Sequence, residues 1–106
     1  MKVLAHAGAP LHSLDLGANR LGDAGAAHLA AALPSLRCLR RLSVRDNWIT
    51  DTGAENLASG LDGLVDLIFL DVEGNRICAA GRGALIASLD KRVALAHGEG
   101  GFGFVY

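Results

Sequence analysis

Two hydrophobic patterns alternate along the middle of the chain. In the first, an apolar residue occupies every second position, as at Leu14 and Leu16. This period of two predicts a short β-strand with one buried face. In the second, leucines lie four positions apart, as at Leu29 and Leu33, and this spacing predicts a helix with one apolar stripe. The chain is therefore predicted to consist of strand–helix units.

The same strand–helix unit occurs three times without a gap, at residues 11–38, 39–66 and 67–94. The leucine at the centre of each predicted strand recurs at a step of 28 residues, as Leu14, Leu42 and Leu70. One such unit cannot bury its apolar face alone, so we expect the three to stack on one shared core. We assign residues 1–10 to an N-terminal extension, 11–90 to the repeats and 91–106 to a tail.

Polar positions recur at the same step. Asn19, Asn47 and Asn75 each follow a predicted strand, where the backbone must turn, and a buried asparagine can bond to the backbone groups left unpaired there. We expect these residues to form a structural ladder. Asp23 and Asp51 precede the helical stripes of the first two units, and we expect each to cap its own helix. The third unit has Ala79 there, which predicts a less firmly started helix.

The repeated pattern L-x-x-L-x-[LV]-x-x-N-x-[LI] and the helical stripe after it resemble the leucine-rich repeat family. The 28-residue length resembles its ribonuclease-inhibitor-like class. The matching residues are Leu11 to Leu33 and their counterparts from Leu39 and Leu67. The resemblance implies an α/β fold, a short right-handed solenoid with a parallel three-stranded concave sheet and outer helices. It also implies a non-catalytic module that binds a protein partner on the concave face. Similar repeats in the activator of the Ran GTPase make a GTPase-activator-like regulator an alternative.

The residues that flank the buried strand positions form the candidate binding surface. Neighbouring strands lie about 4.8 Å apart, so we expect Arg41 beside Phe69, and Arg45 beside Glu73 and near Asp71. Aromatic and arginine side chains are common anchors of protein interfaces. The candidate protein-binding residues are Arg41, Arg45, Trp48, Phe69, Asp71 and Glu73. The alternative is a solvated Arg45–Glu73 ion pair without a partner.

The single tryptophan lies in a column with two arginines, Arg20, Trp48 and Arg76. We expect cation–π stacking between the units, which would contribute roughly 0.5–1 kcal/mol for each contact. A binding hot spot centred on Trp48 is the alternative.

After Leu89 the repeat gives way to a glycine-rich tail. The sequence G-E-G-G-F-G-F-V-Y, with the alternation of Val93 and Leu95 before it, resembles the glycine-rich loop that opens a protein kinase domain. The resemblance implies that a remnant of a nucleotide site would consist of Gly98, Gly100, Gly103 and Val105. It makes a truncated fragment of a leucine-rich-repeat protein kinase a further alternative. Because the kinase lysine and the catalytic motifs are absent from the sequence, we expect no phosphoryl transfer and no bound cofactor.

The ends of the predicted stack have no polar capping unit. Uncapped ends of a repeat stack expose apolar core. We therefore expect the ends to self-associate or to be covered, and the tail to be loosely packed.

Composition narrows the function classes. The chain has 106 residues, of which 51% are hydrophobic and 20% charged, and its net charge is −1. These values favour a folded domain and argue against a nucleic-acid binder. We find no apolar run long enough for a membrane span and no signal-peptide pattern, and we expect a cytoplasmic protein.

The histidines and cysteines do not predict a metal site. The four histidines lack metal-ligand spacing, and Cys38 and Cys78 fit neither a disulfide framework nor a zinc site. We expect both cysteines to be small buried residues or unreactive thiols.

Overall fold

The computed structural model describes residues 11–89 and 93–96, together with the backbone of residues 102–104. The described strands are β1 (Ser13–Asp15), β2 (Arg41–Ser43), β3 (Phe69–Asp71), β4 (Ala94–Ala96) and β5 (Phe102–Phe104). The helices that connect the first four strands are α1 (Gly22–Ala32), α2 (Asp51–Leu61) and α3 (Ala79–Ser88). A short 3-10 helix, Leu33–Ser35, continues α1 at its C-terminal end.

The five strands form one sheet in chain order. The first four are parallel to one another, and β5 runs antiparallel to β4. Leu14 pairs with Leu42, and Leu42 pairs with Leu70. The sequence repeat is thus also the register of the sheet. The predicted α/β fold, a short solenoid of leucine-rich-repeat type, is confirmed.

The predicted number of strands is wrong, because four parallel strands are present instead of three. β4 lies in the segment that we assigned to the tail, and its Leu95 pairs with Leu70, a step of 25 residues. Val93, Leu95 and Ala96 are buried, so the expectation of loose packing is also wrong for residues 93–96. These side chains pack along β3, where they keep the apolar core from water. A comparison at a fixed step of 28 misses this strand.

The shared core contains apolar side chains from every unit and from β4. Its largest fully buried members include Leu29, Leu33, Leu39, Leu42, Ile49, Leu57, Leu67, Leu70, Leu85 and Leu95. On the β1 side, Leu11, Leu14 and Leu21 are only partly buried and pack against this core. The core is therefore less completely covered at β1 than at β2 and β3.

Asp23 caps the helix of the next unit instead of its own. Its carboxylate accepts hydrogen bonds from the backbone N–H groups of Thr50 (2.7 Å) and Gly53 (3.1 Å), at the start of α2. The Thr50 hydroxyl donates to the same carboxylate at 2.5 Å. That bond, helped by the backbone N–H groups and opposed by burial, lowers the pKa of Asp23 below its ordinary value.

Asp51 repeats this arrangement one unit further on. It accepts hydrogen bonds from the backbone N–H groups of Cys78 (2.7 Å) and Gly81 (3.0 Å), at the start of α3. The predicted capping of each helix by its own aspartate is therefore wrong. The prediction that Ala79 weakens the start of α3 is wrong too, because the cap comes from the preceding unit.

Candidate functional site

The turns after the strands are held by the asparagine ladder. Asn47 is fully buried. Its Oδ1 accepts hydrogen bonds from the backbone N–H groups of Asn19 (2.8 Å) and Leu21 (3.1 Å). Its Nδ2 donates to the carbonyl oxygens of Leu16 (2.7 Å) and Val44 (3.1 Å). Each bond to the preceding unit fixes that unit's turn, so the predicted structural role of Asn47 is confirmed.

Asn75 makes the same contacts to the second unit. Its Oδ1 accepts from the backbone N–H groups of Asn47 and Ile49, both at 2.9 Å. The turns that carry Arg45 and Trp48 are consequently held at both ends by buried or part-buried hydrogen bonds. Rigid turns of this kind present surface side chains at fixed positions.

Arg45 lies on the open face of the sheet, the face opposite the helices, between two carboxylates. Its Nη1 donates to Oδ2 of Asp71 (3.3 Å), and its Nη2 donates to Oε2 of Glu73 (3.2 Å). Its Nε lies 3.7 Å from Oδ2 of Asp46. Half of the Arg45 side chain remains exposed (50%). The predicted grouping of Arg45 with Asp71 and Glu73 is confirmed, and the arginine is oriented without being covered.

Asp71 differs from the expectation of a surface contact because it is buried, with 6% of its area exposed. Besides Arg45, its carboxylate accepts the backbone N–H of Glu73 at 3.0 Å. Ala96 of the fourth strand lies next to it in the sheet register. Asp71 therefore positions Arg45 and Glu73, and these two residues present the accessible charge.

Arg41 and Phe69 lie together at the start of β2 and β3. They are paired in the register, and the Arg41 guanidinium lies 4.9 Å from the centroid of the Phe69 ring. Arg41 is exposed and Phe69 half-buried. The predicted neighbourhood is confirmed, and its geometry is that of a cation–π contact.

Trp48 projects from the turn after β2 and is 60% exposed. Its backbone lies in the left-handed region, with φ of 62°. That conformation costs a side-chain-bearing residue roughly 1–2 kcal/mol. The Arg20 guanidinium lies 5.6 Å from the ring centroid, so the predicted stacking of Arg20 is confirmed.

Arg76 does not stack on the Trp48 ring in the described part of the chain. Arg76 lines an open depression together with Trp48 and Thr50. Thr50 pairs with Arg76 in an isolated parallel β-bridge, which places Arg76 beside Thr50 instead of directly opposite Trp48. Sequence reasoning did not identify the role of Thr50, because a bridge outside the regular strands leaves no hydrophobic period.

The chemistry available outside these clusters is limited. Cys38 and Cys78 are free and exposed, so the first alternative, that they are buried, is wrong, and their being unreactive thiols stays a prediction. Both lie outside the periodic apolar positions, in the loop before β2 and just before α3, where the fold does not require a buried side chain. Within residues 11–89 and 93–96, no cluster of three or more histidine, cysteine or carboxylate side chains could hold a metal ion.

The kinase-like loop lies largely outside the described residues. This holds for Gly98, Gly100 and Val105, and for the N-terminal extension at residues 1–10. Gly103 is described by its backbone alone, within β5.

Comparison with known proteins supports the repeat assignment. A family model described as Leucine Rich repeat matches residues 9–30 and 35–58, which include residues 11–30 of the first unit and 39–58 of the second. No curated protein matches the chain. In the part of the chain that is described, no helix has the length and apolar character needed to cross a membrane. The two matches support a leucine-rich repeat family for this chain.

Proposed function

We propose that the protein is a non-catalytic module that binds a protein partner through the open face of its sheet. The observation that carries the proposal is the pairing of Arg41 with Phe69 beside the fixed guanidinium of Arg45. Arginine and aromatic side chains dominate the binding energy of many interfaces. Leucine-rich repeats indicate a protein-interaction module in general terms, and this supports the proposal.

The geometry favours recognition by charge and shape together. Arg45 is held by Asp71 and Glu73 before any partner arrives, so less side-chain entropy is lost on binding. Glu73 and Arg45 offer opposite charges side by side, whereas Arg41 offers a cation on an apolar ring. A partner surface with a carboxylate opposite Arg41 and a mixed polar patch opposite Arg45 would complement this face.

The proposal is tested by affinity capture with the double variant Arg45→Ala, Phe69→Ala. We expect the wild type to capture a specific protein and the double variant to lose it. The control is Thr52→Ala, Glu55→Gln, which changes exposed residues of α2 on the opposite layer and should capture as well as the wild type.

Circular dichroism and thermal unfolding of each variant separate binding from folding. Equal capture by the wild type and the double variant would refute a role for this face. Loss of capture together with loss of the folded spectrum would assign Arg45 and Phe69 a structural role instead.

The second candidate function is that of a fragment of a leucine-rich-repeat protein kinase. The antiparallel pairing of β4 with β5 is the backbone arrangement that a kinase glycine-rich loop connects, and this favours it over the GTPase-activator-like regulator. Under our main proposal, magnesium ATP leaves the thermal unfolding midpoint unchanged. A concentration-dependent rise in that midpoint would favour the kinase-derived alternative.

We further propose a cytoplasmic location. Cys38 and Cys78 are both free and exposed, and such thiols persist in reducing compartments. Mass spectrometry of thiols alkylated directly in cells tests this, because oxidised cysteines would contradict it.

A further inference from the structure

The column Arg20, Trp48 and Arg76, here called the Trp48 strip, crosses the three units at the edge where the strands end. We propose that this strip is a second interaction surface, which binds an acidic segment of a protein that carries an apolar side chain between two carboxylates. The proposal does not rest on the function of the open sheet face.

The conformation of Trp48 is the first observation. A large aromatic side chain is held outward at 60% exposure from a left-handed backbone, where bulky residues are rare. The equivalent Arg20 has the same conformation, with φ of 52°, so the repeated turn holds both side chains outward in a fixed arrangement. The ladder of Asn47 and Asn75 enforces this arrangement at Trp48, because it fixes the residues on both sides of Trp48.

The charges around the ring are the second observation. Within the described residues, neither Arg20 nor Arg76 has a carboxylate within ion-pair distance, whereas Arg45 is close to three. Arg20 stacks on the ring, and Arg76 lines the open depression together with the ring. The Thr50 hydroxyl in the depression already donates to Asp23. The depression therefore offers an apolar ring and the Arg76 cation, and no described residue supplies a carboxylate to that cation.

The spacing of the strip defines the chemistry of its partner. Arg20 and Arg76 belong to the first and third units, two strand spacings of about 4.8 Å apart, and both approach the ring of the second unit. An extended peptide advances about 3.4 Å per residue and places residues i, i+2 and i+4 on one face. Residues i and i+4 are then about 14 Å apart, so carboxylates there would reach inward to Arg20 and Arg76 through their flexible side chains, with an apolar residue at i+2 over Trp48.

The fluorescence of Trp48 tests the proposal directly, because Trp48 is the only tryptophan in the chain. The probe is a terminally blocked peptide, Glu-Gly-Phe-Gly-Glu. We expect a saturable change in emission that weakens as salt is raised to about 0.5 M. Arg76→Gln should weaken binding about three- to fivefold without altering the Arg20–Trp48 stack.

Matched controls make the outcome decisive. Arg82→Gln removes an exposed arginine of α3 and should bind the peptide as the wild type does. The Arg45→Ala, Phe69→Ala variant should also retain binding, which separates this surface from the sheet face.

Four results would overturn the proposal. The first three are an absence of saturation up to about 10 mM peptide, an equal response to Lys-Gly-Phe-Gly-Lys, and an equal loss of binding in Arg76→Gln and Arg82→Gln. A stronger response to inorganic phosphate or to a nucleotide than to the acidic peptide would also overturn it, in favour of a phosphate site.

Discussion

At the scale of single residues, Asp23 and Asp51 connect each unit to the next. Each carboxylate lies in the first turn of one helix and satisfies the N-terminal N–H groups of the following helix. The glycines at the receiving end make this possible. A Cβ on Gly53 would collide with Oδ1 of Asp23, and one on Gly81 would lie 2.5 Å from Oδ1 of Asp51. The pairing of aspartate with glycine is therefore a steric requirement of the stack.

The lowered pKa of Asp23 predicts a pH-dependent contribution to stability. Asp23→Ala should lower the free energy of unfolding by about 1–2 kcal/mol at neutral pH, since the start of α2 loses its cap. The folded-state pKa lies below the unfolded value of about 3.9. The carboxylate therefore stabilises fully above that value, and its contribution is lost as the pH falls through the folded pKa. Urea unfolding between pH 7 and pH 2.5 should show the gap to wild type narrowing below about pH 4.

A matched control for this prediction is Glu55→Gln, which changes an exposed carboxylate of α2. It should follow the wild type throughout. A gap between Asp23→Ala and wild type that stays constant down to the lowest pH would contradict the role of the ionised carboxylate.

Residues differ in how far the sequence alone reveals their roles. The asparagine ladder was predictable, because a turn after a buried strand leaves unpaired amides that only a polar side chain can satisfy. The helix that Asp23 caps was not predictable. An aspartate that caps its own helix and one that caps a helix 27 residues further on have the same local sequence. Only the stacking of neighbouring helices distinguishes them.

At the scale of elements, α1 and α2 are in close backbone contact at Gly60. A Cβ there would lie 2.5 Å from the carbonyl oxygen of Ala30 and 2.8 Å from its Cα. These are backbone atoms of a neighbouring helix, which cannot rotate aside as a side chain can. The absence of a side chain at Gly60 therefore permits this close contact between the helices.

Gly60→Ala should therefore destabilise the protein, although alanine is the better helix former. We expect a loss of about 1–3 kcal/mol, as for other overpacked interiors. Gly63→Ala is the matched comparison, because nothing lies within 4 Å of a Cβ at that position, and it should stay within about 0.5 kcal/mol of wild type. Chemical denaturation measures both, and equal stabilities of the two variants would exclude the close helix contact as the cause.

The strands and helices were predictable wherever the spacing of their hydrophobic residues was regular. β1 to β3 and the three helices follow from apolar residues at fixed steps, which is the condition for stacking identical units. The sequence did not predict β4, because the step to it is three residues shorter than the step between the other strands. Glycines follow it, so its two apolar residues resemble part of a tail. Its placement depends on the open edge of β3, a property of the assembled sheet that no local pattern contains.

At the scale of the whole molecule, the two ends of the stack differ. The end opposite β1 contains β4, whose Val93 and Leu95 are buried. At the β1 end Leu14 and Leu21 are partly buried, whereas their counterparts in the second unit, Leu42 and Ile49, are fully buried. We propose that the protein self-associates through the β1 end, where burial of these leucines would be completed.

Sedimentation velocity over a range of protein concentrations tests this association. We expect the wild type to form a reversible dimer or larger species and Leu14→Ser to shift the equilibrium toward monomer, because it removes apolar area from the contact. Ile86→Ser, an exposed position on α3, should associate as the wild type does. A wild type that remains monomeric at the highest concentration would rule out the proposal.

The third unit has alanine at position 79, where the first two units have aspartate. This difference determines how the stack of units could be lengthened. Asp23 and Asp51 each prepare the start of one more helix, whereas Ala79 at the equivalent place has no oxygen to offer a successor. If a further strand–helix unit were added after α3, the first backbone N–H groups of its helix would lack a hydrogen-bond acceptor. This would hold even if its leucines matched the core. Elongation by design should therefore restore the carboxylate at position 79 before any change to the apolar positions.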